Sequence, residues 1–230
     1  MAKTDAALHK SQLQAYFDGV GFERWSAIYG QGDLSQIRHT IREGHDQMMA
    51  QAQAWLLEST SGGTLLDAGC GTGLFSLMMA QHGFDVTGID IAPRMIDAAQ
   101  AAAERETLAG SARFEQGDVE SISGQYDAVT CFDVLVHYPQ DTLVPVVQHL
   151  AQATNGPLLF TYAPYSRLMA ALFWIGGHFP QGQRRQELQM IPDNVVEGAL
   201  ADAGMVVKRT TSISHGFYHV KLLEAARKQA

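Results

Sequence analysis

The stretch Leu65-Leu66-Asp67-Ala68-Gly69-Cys70-Gly71-Thr72-Gly73 constrains the fold of this chain more than any other. An apolar run of strand length meets an acidic residue and then glycines at every second position, and a helix-forming sequence opens at Leu74. Glycine lets a backbone bend this sharply and lets a ligand approach closer than a Cβ would allow. Strand, tight turn and helix N-terminus in succession make a loop built to hold a nucleotide-like cofactor. Seventeen residues past Gly73, a second run, Phe84-Asp85-Val86-Thr87-Gly88-Ile89-Asp90, ends in another carboxylate. That placement suits a bidentate grip on a ribose diol.

The dinucleotide fingerprint needs G-x-G-x-x-G, and here the third glycine arrives one place early. This argues against an NAD-dependent oxidoreductase. Asp67 would repel a pyrophosphate, whereas it can pair with a cationic ligand or order the loop. S-adenosylmethionine offers an ammonium and a sulfonium and no phosphate. The pattern from Asp67 to Gly73, with Asp90 after it, resembles motifs I and II of the class I methyltransferases. Gly117-Asp118-Val119-Glu120, following Ala112-Arg113-Phe114-Glu115, resembles the segment in which an Asp receives the adenine amino group. This resemblance implies an S-adenosylmethionine site formed by Asp67, Gly69, Cys70, Gly71, Gly73, Asp90, Ile91, Asp118, Val119 and Phe132. Asp85 and Asp127, near the starts of predicted strands, read as solvated or turn-capping carboxylates.

From Thr64 onward, strand-length apolar runs alternate with amphipathic helical stretches, the signature of a parallel sheet covered on both faces. Strands are expected near 64–68, 84–90, 111–116, 126–133, 156–162, 205–213 and 216–224, the last two forming an antiparallel hairpin turned at His215-Gly216. Helices are expected over about 73–82, 93–106, 139–153 and 192–203, with Pro93 and Pro139 at helix starts. The fold class is therefore α/β, a Rossmann-like sheet of seven strands of the class I methyltransferase kind, with an N-terminal helical arm and a small helical insert. Residues 1–60 form the arm and 61–230 the main domain. Within the arm, Ser35 to Glu58 reads as one helix with Ile37, Ile41, Met48, Ala52 and Trp55 or Leu56 on one face. Arg38, Arg42 and His45 stack on an adjacent stripe, which by itself describes a solvated helix face. The insert, 164–192, contains the apolar run Leu168 to Gly177 and reads either as a core helix or as a lid over a large flat ligand.

Composition narrows the function classes. With 16 basic against 24 acidic residues, the net charge of −8 speaks against non-specific nucleic-acid binding, which needs clustered Lys and Arg. Cys70 and Cys131 are too few and too far apart for a metal or redox pair and are expected to be reduced thiols, with no protein-bound metal. Residues Met1 to Lys10 lack the apolar core of a signal peptide. The run Leu168 to Gly177 falls short of the roughly 18 residues of a membrane span. A cytoplasmic location is expected, with at most peripheral membrane contact.

Four further stretches resemble one family, the magnesium-protoporphyrin IX O-methyltransferases of chlorophyll and bacteriochlorophyll synthesis. They are Tyr16-Phe17-Asp18 through Gly21-Phe22-Glu23-Arg24-Trp25-Ser26-Ala27-Ile28-Tyr29, then Ile41-Arg42-Glu43-Gly44-His45, then Asp133-Val134-Leu135-Val136-His137-Tyr138-Pro139, and Gly216-Phe217-Tyr218. The resemblance runs from about residue 12 to 224. It implies methyl transfer from S-adenosylmethionine to a porphyrin propionate, giving the monomethyl ester, with the magnesium belonging to the substrate. It also implies delivery of the porphyrin from the large porphyrin-binding subunit of magnesium chelatase, at a photosynthetic membrane surface. Tyr29 and His137 would orient the propionate by hydrogen bonds, though a neutral His137 could instead approach the substrate's magnesium. Arg42 and His45 would cover the cofactor's carboxylate or hold the arm over the pocket, and Tyr138, Phe173 and Trp174 would contact the macrocycle. The residues alone leave other acceptors open, such as a quinone, a sterol-like lipid or another small acid, and also a non-catalytic porphyrin carrier.

Overall fold

The computed structural model describes residues 2–30, 34–165 and 189–228, with side chains from residue 8 onward in the first helix. Its sheet is built on β1 (Gly63–Ala68), β2 (Phe84–Asp90), β3 (Ser111–Gln116), β4 (Ala128–Cys131) and β5 (Leu158–Pro164), which run parallel in the order β3-β2-β1-β4-β5. A two-residue strand β6 (Met190–Ile191) extends the end of β5. The hairpin of β7 (Met205–His215) and β8 (Tyr218–Arg227) completes the sheet, with β8 antiparallel to both β5 and β7. Chain direction from β1 diverges to β2 on one side and to β4 on the other, so a crevice opens beyond the carboxyl ends of these strands.

Strands covered on both faces read as continuous apolar runs, and their adjacent residues feed opposite layers. Leu66, Leu158 and Leu223 belong to one buried cluster, together with Leu143, Val147 and Leu150 of α6 (Gln140–Gln152) and Val196 and Leu200 of α7 (Asp193–Asp202). Their neighbours Leu65, Leu159 and Leu222 belong to the other, with Phe75 and Met79 of α4 (Leu74–Gln81) and Met48, Ala52 and Leu56 of α3 (Gln36–Ser59). Each such buried Leu, Val, Phe or Met side chain contributes about 1.5–3 kcal/mol. The helix α5 (Pro93–Ala103), started by Pro93, lays Ile96 and Ala99 against Phe114 and Cys70.

The arm begins with α1 (Ala2–Tyr16), passes through a widened turn at Phe17–Gly21 where Gly19 leaves helical geometry, and continues as α2 (Phe22–Tyr29). Ser35, expected as the first residue of α3, is its cap, the hydroxyl accepting from the Arg38 amide. Ile37, expected on the buried face of α3, is instead 51% exposed.

Three boundaries differ from expectation for physical reasons. The fourth strand stops at Cys131 because Asp133 sits at φ +56, outside strand geometry, and it starts late because Tyr126 makes only an isolated bridge to Thr154. The hairpin turns at Gly216-Phe217, one residue later than expected, since His215 still pairs with Tyr218. The fragment β6 carries too few residues to show any periodicity.

Candidate active site

A cavity of about 920 Å³ opens at the carboxyl ends of β1, β2 and β4 and is roofed by the arm. On its floor the loop after β1 runs through Gly69 at φ +80 and Gly71 at φ +54. A Cβ at Gly69 would lie 2.1 Å from Val134, so glycine is forced there by packing as well as by conformation, whereas a Cβ at Gly71 would meet nothing within 4 Å. The backbone at Gly71 therefore presents an unobstructed face to the cavity. Gly69 and Cys70 are anchored by N–H donation to the Ile89 carbonyl.

Three carboxylates surround this floor. Asp67 is buried, accepts from Ser76 Oγ at 2.6 Å and Thr130 Oγ1 at 3.0 Å, and is pushed up to about 6 by burial. Asp90, at the end of β2, accepts from the amides of Gly71 at 3.0 Å and Ala92 at 2.9 Å; burial pushes it up too. Asp118 pairs with Lys10 of α1 at 2.6 Å and accepts from the Glu120 amide. This is where the arm is clasped to the main domain. The loop thiol, Cys70, is pushed well up by burial and by the nearby Asp67 and Asp90, so it stays protonated and is no nucleophile.

A second constellation occupies the arm side. The Tyr29 hydroxyl contacts His45 Nδ1 and donates to Asp46 at 3.0 Å. His45 Nε2 lies 3.7 Å from Asp133, which also accepts from Tyr218 at 2.9 Å and Thr161 at 3.1 Å. Trp25 stacks on Tyr29, and the Arg42 guanidinium lies 5.5 Å from the centroid of the same ring. Burial pushes His45 down and the Tyr29 and Tyr218 hydroxyls up, so all three are neutral near pH 7. Asp133, a non-glycine residue in the left-handed region, holds strain at the junction of this network. Across the cavity His137 is packed edge-on to Phe17 and pushed down to about 4 by burial, then by His9. Its Nδ1 is buried without a partner among the described residues.

Residues 131–227 match a family model described as the C-terminus of magnesium-protoporphyrin IX methyltransferase, and residues 65–155 match a general methyltransferase domain. A magnesium-protoporphyrin O-methyltransferase of Synechocystis is 35% identical over 97% of this chain and 99% of that protein. The chain belongs to the magnesium-protoporphyrin IX methyltransferase family. A magnesium-protoporphyrin O-methyltransferase of Rhodobacter capsulatus is 32% identical over 96% of this chain and 98% of that protein. The solved Synechocystis enzyme with bound SAH superposes with a TM-score of 0.87 at 35% identity, over 95% of this chain and all of that one. The class I methyltransferase fold expected from the sequence is thereby shown.

Within this family member the cavity is lined by most of the expected residues: Tyr29, His45, Asp67, Gly69, Cys70, Gly71, Asp90, Ile91, Asp118, Val119, Phe132, His137 and Tyr138. Two expected contacts fall elsewhere. Gly73 lies off the lining; it caps α4 at φ +80 and is packed so closely that a Cβ there would meet Phe114 at 2.9 Å and Ala99 at 3.0 Å. Arg42 also lies off the lining, reaching Asp46 at 3.8 Å and backing Tyr29. Phe173 and Trp174 lie outside the described residues, as does nearly all of the insert 164–192. Asp133, Tyr218 and Thr161 were missed, although Asp133 and Tyr218 stand inside stretches that carry the family resemblance. A lone Asp after a strand and a Tyr beginning a hairpin strand look like packing residues until the fold brings them together.

The residues present fit S-adenosylmethionine. The open glycine loop, Asp90 with a further lone pair on each oxygen, and the absence of a Lys or Arg on the loop suit an uncharged ribose and a cationic sulfonium better than a phosphate. Among the described residues no His, Cys, Asp or Glu group is arranged to hold a metal.

Proposed function

We infer that this protein transfers a methyl group from S-adenosylmethionine to a propionate of magnesium-protoporphyrin IX, forming the monomethyl ester. The observation that carries this is the joining of the glycine-loop floor and the Tyr29 and His137 side chains in one cavity. Residues 1–60 act as its cap and residues 61–230 as the catalytic unit.

The bound cofactor supplies an electrophilic methyl on a sulfonium leaving group. The nucleophile needs no activation, because a propionic acid resembles Glu, with a pKa of about 4.3, and is ionised at neutral pH. The protein's work is placement and exclusion of water. Tyr29 offers a neutral hydroxyl beside His45 and Asp46, its one proton turning from Asp46 to the propionate when substrate binds, and His45 lies 3.7 Å from Asp133. His45 and Asp133 are positioning residues for Tyr29.

His137 carries one proton on its neutral ring. A buried N–H without an acceptor is costlier than a buried lone pair without a donor, so the unpartnered Nδ1 is the bare nitrogen and Nε2 carries the proton. His137 thus serves as a donor to the carboxylate rather than as a lone-pair ligand of the substrate's magnesium.

Incubation with methyl-labelled cofactor and magnesium-protoporphyrin should give one labelled methyl ester per porphyrin. Label on a quinol in a mixed incubation, with the porphyrin unlabelled, would reassign the acceptor. Because the porphyrin is poorly soluble, hand-over from the large porphyrin-binding subunit of magnesium chelatase is part of this proposal, and adding that subunit should raise turnover at limiting porphyrin. Among the described residues no helix is long and apolar enough to cross a membrane.

A further inference from the structure

Three described cations near the cavity are already engaged. Lys10 is paired with Asp118 and Glu120, Arg42 with Asp46, and Arg94 donates to the Asp18 carbonyl while lying over Phe22. Arg24 differs. It sits on α2, half-buried, on the cavity lining, and it forms no ion pair among the described residues. It is also the only Lys or Arg among the described lining residues.

The other charged residues of the lining are acidic, and they have their own partners. Asp67 is held by Ser76 and Thr130, Asp90 by two backbone amides, Asp118 by Lys10, and Asp133 by Tyr218 and Thr161. Of the lining histidines, His45 and His137 are neutral near pH 7 and contribute no charge, and the third, His219, is bonded to the Ser214 hydroxyl. Protoporphyrin IX carries two propionates side by side on one edge of the ring, and only one is esterified. The other enters the same acidic, partly apolar cavity as an anion, which is costly without a cation to receive it. Arg24 lies five residues before Tyr29 on one helix, about 7.5 Å along its axis and about 140° around it, and both residues line the cavity, so they can address two carboxylates of one ligand at separate points.

We propose that Arg24 binds the second, unreacted propionate and so makes the site select a porphyrin diacid over its monoester, ending the reaction after one methyl. A monoester turned round to offer its remaining carboxylate near Tyr29 would place a neutral ester against Arg24, losing a charge-assisted pair and leaving the guanidinium without a partner. This inference rests on the methyltransferase function inferred above.

The test compares kcat/KM for magnesium-protoporphyrin and for its two isomeric monoamides, in which one propionate is a carboxamide. The wild-type protein should prefer the diacid over the better monoamide by on the order of tenfold to a hundredfold. Arg24→Gln should bring the diacid down to the monoamide level, chiefly through KM, with little change for the monoamide itself, and Arg24→Lys should restore part of the preference. S-adenosylhomocysteine affinity, read by calorimetry, should stay within about twofold, which also shows that the variant is folded. Loss of that affinity would assign the guanidinium to the cofactor's carboxylate and overturn the proposal. Equal losses for diacid and monoamide, or no preference in the wild type, would overturn it as well. A wild-type protein that methylates no porphyrin would overturn the function and this inference together, a result distinguishable from the others.

Discussion

At the scale of single residues, the site is a division of labour between groups that hold the cofactor and groups that place the acceptor. Tyr29→Phe and His137→Asn should lower kcat on the order of a hundredfold while leaving S-adenosylmethionine affinity nearly intact, as steady-state kinetics and calorimetry would show. Asp90→Ala should do the reverse, weakening cofactor affinity on the order of tenfold to a hundredfold, because it removes the proposed ribose acceptor and frees the Gly71 and Ala92 amides. The burial of His137 has a stability signature as well. Its folded-state pKa of about 4 lies below the unfolded value of about 6.5, so between these limits the unfolded chain binds a proton that the native state refuses. The His137 contribution is therefore complete above about pH 6.5 and lost as pH falls toward 4. Between pH 7 and pH 4.5 the wild-type protein should lose about 2 kcal/mol more unfolding free energy than His137→Asn in urea titrations. Asp67, pushed up instead of down, acts with the opposite sign, but it is common to both proteins and cancels in the difference.

At the scale of elements, the arm is more than a flap laid over a finished domain. Helix α3 is tied to the terminal hairpin through Arg209 of β7, which bonds Glu224 of β8, Glu58 and the Trp55 carbonyl of α3, and lies 4.9 Å over the Trp55 ring. Glu224 is buried, and Ser59 is its other partner. Arg209→Met should therefore cost about 3 kcal/mol by stranding a buried carboxylate, and adding Glu224→Met should recover part of the loss; denaturant midpoints of the single and double variants would show it. Nearer the site, α3 approaches β8 so closely at Gly44 that a Cβ there would lie 2.7 Å from Tyr218. Gly44→Ala should destabilise by about 1–3 kcal/mol and lower turnover, since Tyr218 would be pushed from Asp133 and the support behind His45 and Tyr29 would loosen.

At the scale of the whole molecule, the parallel sheet and the cofactor floor were legible because local chemistry dictates them. A glycine loop after an apolar strand, a carboxylate closing the next strand and Pro93 at a helix start each specify geometry within a few residues. The acceptor side was legible only in part. Tyr29, His45 and His137 could be nominated from the resemblance, but the network through Asp133, Thr161 and Tyr218 joins segments separated by up to 189 positions, from Tyr29 to Tyr218, and no periodicity encodes that meeting. The state of Arg24 was invisible for the same reason, since only the fold shows that, among the described residues, Lys10, Arg42 and Arg94 have partners and Arg24 forms no ion pair. The central claim is that this protein positions an already ionised carboxylate and generates no nucleophile of its own. The pH dependence of kcat/KM for magnesium-protoporphyrin tests it most directly. A carboxylate nucleophile predicts a flat profile from about pH 7, above the titration of Asp67, to about pH 8.5, whereas a rate rising about tenfold per pH unit across that range would show a proton being removed in the methyl-transfer step and would contradict it.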